Sequence, residues 1–190
     1  MQGNSAVSFK FKTNWCVFTG APSSGKTSVL EELAHRGYAV QVEVARELIE
    51  TALRQGKSLW EIRDKAHVQE LQRRIVALKL ARERGLHPET LIFSDRGTPD
   101  SIAYYNAAGL DPQPAIDASK IFEYRAVFLF ARLPLVKDDV RTEDDAQALA
   151  LEQAIIHDYQ SLGYRLIPVP VMPITARADF ILQQLGNPNP

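Results

Sequence analysis

Cysteine is almost missing from this chain. Cys16 is the only one in 190 residues, so no disulfide can form within it. Its place in the apolar run Trp15-Cys16-Val17-Phe18-Thr19 points to packing rather than reactivity, and a reduced, cytoplasmic setting is the default expectation. Neither sign of charge dominates: 22 Lys and Arg face 23 Asp and Glu, for a net charge of −1. No basic surface therefore predicts nucleic acid as a partner. No apolar run approaches membrane-spanning length, and Met1–Ser5 lacks a charged-then-apolar signal pattern, so we expect no membrane span. His35, His67, His87 and His157 show no paired metal spacing. There is also no Cys/His zinc pattern, no serine nucleophile elbow and no Asn-Lys-x-Asp guanine motif. These absences argue against a disulfide scaffold, a zinc centre, a serine hydrolase and a GTPase proper.

The length suits one α/β domain, residues 1–190, with a core over about 14–185. Apolar β-type runs at Trp15–Thr19, Ala39–Val42, Leu91–Ser94, Ala126–Ala131 and Leu166–Val169 alternate with helical patterns, which predicts a mainly parallel sheet. Helical spacing is expected near Val44–Leu53, from Leu59 to Arg84, after Pro99 with Thr98 as N-cap, over Ala146–Leu162 and at Thr175–Leu185. Asp111-Pro112-Gln113-Pro114 reads as a connection. The charged stretch Leu133–Asp145 has no steady period and reads as a loop or short lid. The tail, residues 186–190, is expected to be disordered.

Gly20-Ala21-Pro22-Ser23-Ser24-Gly25-Lys26-Thr27 is a full match to the phosphate-loop pattern G-x-x-x-x-G-K-[ST], with a strand before it and a helix, opening at Ser28, after it. Gly20 and Gly25 allow the backbone to turn its N–H groups into one concavity, and the helix N-terminus adds its positive end. Lys26 is placed to reach β- and γ-phosphates, and the Thr27 hydroxyl to meet Mg²⁺. The implied ligand is a nucleoside triphosphate.

Ligands of open parallel sheets gather at the C-terminal ends of the strands. Asp95, after the apolar Leu91–Ser94, suits a second Mg²⁺ contact, the alternative being a helix cap or turn. Its neighbour Arg96 stands where many motor ATPases carry a glutamate, which argues against vigorous hydrolysis and suits holding a phosphate or an acceptor molecule. Glu43, after the second strand, is a candidate base for an acceptor hydroxyl, with Arg46 steadying a phosphate or carboxylate. Alternatively the two form a surface pair. Arg141, in the charged loop, is a candidate cation for the transferring phosphate, unless that loop merely solvates a surface.

These residues resemble the NadR-type P-loop ATPase/kinase domains, sometimes filed under an AAA heading. The resemblance rests on the loop Gly20–Thr27, on Val42-Glu43-Val44-Ala45-Arg46-Glu47, on Ser94-Asp95-Arg96-Gly97-Thr98-Pro99-Asp100-Ser101-Ile102-Ala103-Tyr104-Tyr105 and on Val169-Pro170-Val171-Met172-Pro173. Asp95-Arg96 also looks like the aspartate–arginine motif of thymidylate kinases. The resemblance implies a three-layer αβα sandwich with a five-stranded parallel sheet in order 2-3-1-4-5, a short lid and an adenine contact near Val171–Thr175. It implies ATP and Mg²⁺ as cofactors and a small-molecule acceptor. The leading expectation is a kinase acting on a nucleoside-like hydroxyl, with Lys26, Glu43, Asp95 and Arg141 catalytic and Arg46 and Arg96 on the acceptor. The rival is a nucleotide-dependent switch or sensor that hydrolyses slowly. The acceptor and the oligomeric state cannot be read from the sequence.

Overall fold

The computed structural model describes residues 7–56, 64–132 and 145–190. Five strands form a parallel sheet: β2 (Trp15–Thr19), β3 (Ala39–Gln41), β4 (Ile92–Asp95), β6 (Ala126–Phe130) and β7 (Leu166–Val169). They lie in the order β3-β4-β2-β6-β7. Counted over these five alone, that is second, third, first, fourth, fifth. Two short strands, β1 (Phe11–Lys12) and β5 (Phe122–Glu123), pair separately. This small sheet was not expected, because it joins segments 111 positions apart in register Phe11 to Phe122.

Seven helices are described: α1 (Lys26–His35), α2 (Val44–Arg54), α3 (Lys65–Gly85), α4 (Asp100–Ala107), α5 (Gln113–Ser119), α6 (Asp145–Ser161) and α7 (Ile174–Gln184). Strand alternation divides the sheet's residues between two faces. Cys16, Phe18, Phe93, Phe128 and Phe130 meet Val29, Leu30 and Leu33 of α1 and Ala178, Ile181 and Leu182 of α7. Trp15, Val17, Ile92 and Val127 meet Ala103 of α4 and Ile155 and Tyr159 of α6 on the other. Outside that second face, α3, α4 and α5 pack through Val76, Ile102, Tyr105, Ala115 and Ala118. The result is helix, sheet, helix, with the ends of β2 and β4 pointing at one edge.

Three expectations need correction. Asp111–Pro114 is not only a connection: α5 begins there, because proline at the start of a helix loses no hydrogen bond. Thr98 does not cap α4. Its hydroxyl donates to Glu83 Oε1 at 3.0 Å, while the Asp100 carboxylate takes the Gly97 N–H at 2.9 Å. The tail is tied down rather than disordered. Asn187 N–H donates to Leu182 O at 2.8 Å past Gly186, whose φ of 82° closes the helix, and the Tyr38 hydroxyl donates to Pro188 O at 2.5 Å. The segment expected to form a lid, including Arg141, and the expected helix start at Leu59 lie outside the described residues. Among the described residues no helix is long and apolar enough to cross a membrane.

Candidate functional site

The phosphate loop sits between the end of β2 and the start of α1. A Cβ at Gly20 would stand 2.8 Å from the Phe130 carbonyl, so only glycine lets the loop leave β2 this close to β6. Gly25, at φ 85°, turns the chain into α1, and Ser23 is held at φ 59°, an uncommon conformation for a residue with a side chain. Ala21 and Ser24 are buried, Ser23 is exposed, and Pro22, Thr27 and Ser28 are half-buried.

Lys26 does not face solvent. It is 5% exposed and folds onto its own loop, donating to Ala21 O at 2.8 Å, Ser24 Oγ at 3.1 Å and Gly20 O at 3.4 Å. Burial, reinforced by the Arg96 charge, pulls its pKa down to about 8. Thr27 Oγ1 donates to Asp95 Oδ2 at 2.8 Å, so the structure brings together the two residues expected at a metal. Asp95 is 3% exposed, and its Oδ1 is buried with no partner. Burial raises its pKa, against the pull of Lys26. A buried carboxylate oxygen without a donor is costly, and a hard cation would relieve that cost. Among the described residues no three His, Cys, Asp or Glu side chains gather into a metal cluster. The Thr27 hydroxyl and the Asp95 carboxylate are hard oxygen donors that fit Mg²⁺, which keeps waters and takes substrate phosphates alongside one or two protein ligands.

Glu43 stands at the N-cap position of α2 without a side-chain capping bond, and meets Arg96 rather than Arg46, with Arg96 Nε donating to Glu43 Oε1 at 2.9 Å. Arg46 is exposed and forms no ion pair among the described residues. Arg96 itself has φ 65° and is buried, its guanidinium lying over the Tyr104 ring. Burial opposes its charge, but Tyr104, Asp100, Glu43 and Asp95 outweigh burial and raise its pKa.

Asp100 was missed by sequence reasoning, and it is the hub behind Arg96. Fully buried, it accepts from Arg96 Nη1 at 3.0 Å, Thr19 Oγ1 at 2.7 Å, Gly97 N–H at 2.9 Å and Tyr159 Oη at 2.6 Å. Burial alone would raise its pKa; Arg96 and Lys79 hold it below the ordinary aspartate value. Lys79 donates to Gly97 O and Ser101 Oγ at 2.7 and 3.2 Å, and Tyr124 Oη donates to Glu83 Oε1 at 2.5 Å. The only advance signal was an aspartate four residues after Arg96, at the expected start of a helix.

A cavity of about 190 Å³ opens beside Glu43 and Arg96. Ile49, Leu71, Ile75 and Tyr104 give it apolar walls, and Gln72 a carboxamide. A wider groove of about 630 Å³ lies at the opposite, N-terminal ends of β6 and β7, and no phosphate-loop residue lines it.

The AAA_28 model, described as an AAA domain, matches residues 15–177. No curated protein sequence matches the chain. Among solved structures it is similar to the NadR protein in complex with NR (TM-score 0.66, 14% identity, 94% of this chain and 53% of that one). It is also similar to deoxyadenosine kinase from M. mycoides (TM-score 0.61, 13% identity, 92% and 100%). A third likeness is to thymidylate kinase from Candida albicans (TM-score 0.55, 16% identity, 92% and 93%). The chain spans about half the length of the NadR chains it matches. With the phosphate loop, the strand order and the family model in agreement, the chain belongs to the AAA_28 family of AAA domains.

Proposed function

We propose that this protein is an ATP-dependent small-molecule kinase that transfers a γ-phosphoryl group to the hydroxyl of a nucleoside-like acceptor. The observation that carries the reading is the cavity with Glu43 at its wall. It shares Arg96 with the strand end where Asp95 meets Thr27. Its apolar walls and Tyr104 ring suit the flat body of a nucleoside, and Gln72 suits its polar edge.

The loop N–H groups and Lys26 bind the triphosphate. To do so, Lys26 exchanges the loop carbonyls it now contacts for phosphate oxygens. Mg²⁺, held by Thr27 and Asp95, would neutralise charge developing on the phosphates. Arg96, pinned by Asp100, fixes Glu43 at the cavity wall. From there Glu43 accepts the acceptor's hydroxyl proton as the new O–P bond forms and the bond to the β-phosphate oxygen breaks, leaving ADP. Arg46, exposed next in sequence to Ala45 of the cavity wall, steadies a polar end of the acceptor. The deoxyadenosine and thymidylate kinases among the similar structures support the reaction class.

The test is a thermal-shift screen of nucleosides and related hydroxyl compounds with a non-hydrolysable ATP analogue, followed by a transfer assay on any hit. A second ligand that stabilises only beside the analogue, and then receives phosphate, supports the kinase. Stabilisation by nucleotide alone, across the whole screen, would favour the switch.

A further inference from the structure

Arg177, in the first turn of α7, has no part in the roles above, yet it touches the phosphate loop. It is 2% exposed. Its Nη1 donates to the Ser24 carbonyl at 2.8 Å and its Nε to the Pro170 carbonyl at 3.1 Å, and the guanidinium lies over the Phe130 ring. Nη2 is buried without a hydrogen-bond partner. Among the described residues no carboxylate pairs with it.

A buried cation with no anion beside it is an unfavourable arrangement, and burial pulls the pKa of Arg177 below the ordinary arginine value. Its location gives the arrangement a use. The Ser24 carbonyl belongs to the same peptide group as the Gly25 N–H, one of the donors that the loop turns toward an anion. A cation hydrogen-bonded to the oxygen polarises that peptide and strengthens its N–H as a donor. The bond also fixes a loop whose Ser23 is in a strained conformation. Pro170, the second contact, leads into the exposed Val171 and Ile174, where the resemblance expects adenine.

We propose that Arg177 is a positioning residue for the polyphosphate of a nucleoside triphosphate. It holds the Ser24–Gly25 peptide from outside the concavity and adds a buried positive charge that the bound polyphosphate neutralises. The proposal rests on the phosphate-loop reading.

The probes are inorganic tripolyphosphate and ATP, titrated calorimetrically into the parent, Arg177→Lys and Arg177→Met proteins, with melting temperatures recorded in parallel. Expected affinity falls in the order Arg, Lys, Met for both probes. Arg177→Met is weakened about tenfold or more, as for a lost charge-assisted contact, and the lysine recovers part of the loss. A folded Arg177→Met protein that binds tripolyphosphate within about twofold of the parent overturns the proposal. If Arg177→Met does not fold, the parent decides. Its Arg177 Nε–H resonance, assigned through bonds, should shift on saturation with tripolyphosphate, and an unmoved resonance overturns the proposal. A parent that binds neither probe overturns the phosphate-loop reading itself, and the proposal with it.

Discussion

The two halves of the site are built in opposite ways. The phosphate half is local: Gly20 to Thr27 are contiguous, and one strand-end residue, Asp95, completes them. The half proposed for the acceptor is assembled from distant pieces. Glu43 from the entry to α2, Arg96 after β4, Asp100 from α4, Lys79 and Glu83 from α3, Tyr124 before β6 and Tyr159 from α6 meet through buried and half-buried hydrogen bonds. A loop that binds an anion has to present backbone N–H groups, and its strain can be stored in a short segment. A pocket that places one carboxylate must fix that side chain through tertiary contacts. Damage to the first half should therefore appear in binding, and damage to the second in stability.

The largest expected effect is at the hub. Asp100→Asn leaves the buried Arg96 without its full counter-charge and turns an amide donor toward Gly97 N–H or Tyr159 Oη. It should destabilise the fold by about 3–5 kcal/mol in urea unfolding. The contribution of Asp100 also depends on pH. Its pKa is depressed in the folded state, so the stability it provides is present above the unfolded aspartate value and is lost as pH falls through the folded one. A loss under about 1 kcal/mol would mean that the network is not what holds this half together.

Lys26→Ala should show the reverse pattern. ATP affinity should fall at least about tenfold, while unfolding stability stays within about 1 kcal/mol of the parent, because the buried lysine charge is itself unfavourable in the free loop. Unchanged ATP affinity in the folded variant would remove this loop as the nucleotide cradle.

The smallest effect sharpens the same contrast through protons. With its pKa near 8, Lys26 in the free protein loses its proton as pH rises through that value. A bound triphosphate restores the charge. Nucleotide binding near pH 9 should therefore take up a fraction of a proton, and affinity should decline by a few-fold above pH 8. Calorimetry in buffers of different ionisation enthalpy measures this. Zero uptake at pH 9 would show that Lys26 keeps its charge when buried.

The same division explains what was legible in the sequence. The phosphate loop, the five main strands and most helices follow from contiguous patterns, and the strand order from the family resemblance: Trp15–Thr19 and Leu166–Val169 are observed with the expected bounds. Helix α5 was hidden because prolines that open a helix look, in one dimension, like prolines that prevent one. The tail looked disordered because its composition carries no trace of the Tyr38 hydroxyl that receives it. Glu43 was weighed against a neighbour three residues away, whereas its partner Arg96 stands 53 residues on. Asp100, Lys79 and Arg177 gave little signal, because a lone charged residue in a helical pattern usually faces water. Only packing shows that these three are buried.

In the kinase reading, Glu43 delivers a base to an acceptor hydroxyl beside the phosphate half. Glu43→Gln tests it most directly, keeping the size and hydrogen-bonding reach of the side chain and removing its basicity. ATP titration should give an affinity within a few-fold of the parent, while transfer from ATP to the acceptor found by screening should fall about a hundredfold or more. Transfer at the parental rate would contradict the account and leave Glu43 as a structural partner of Arg96.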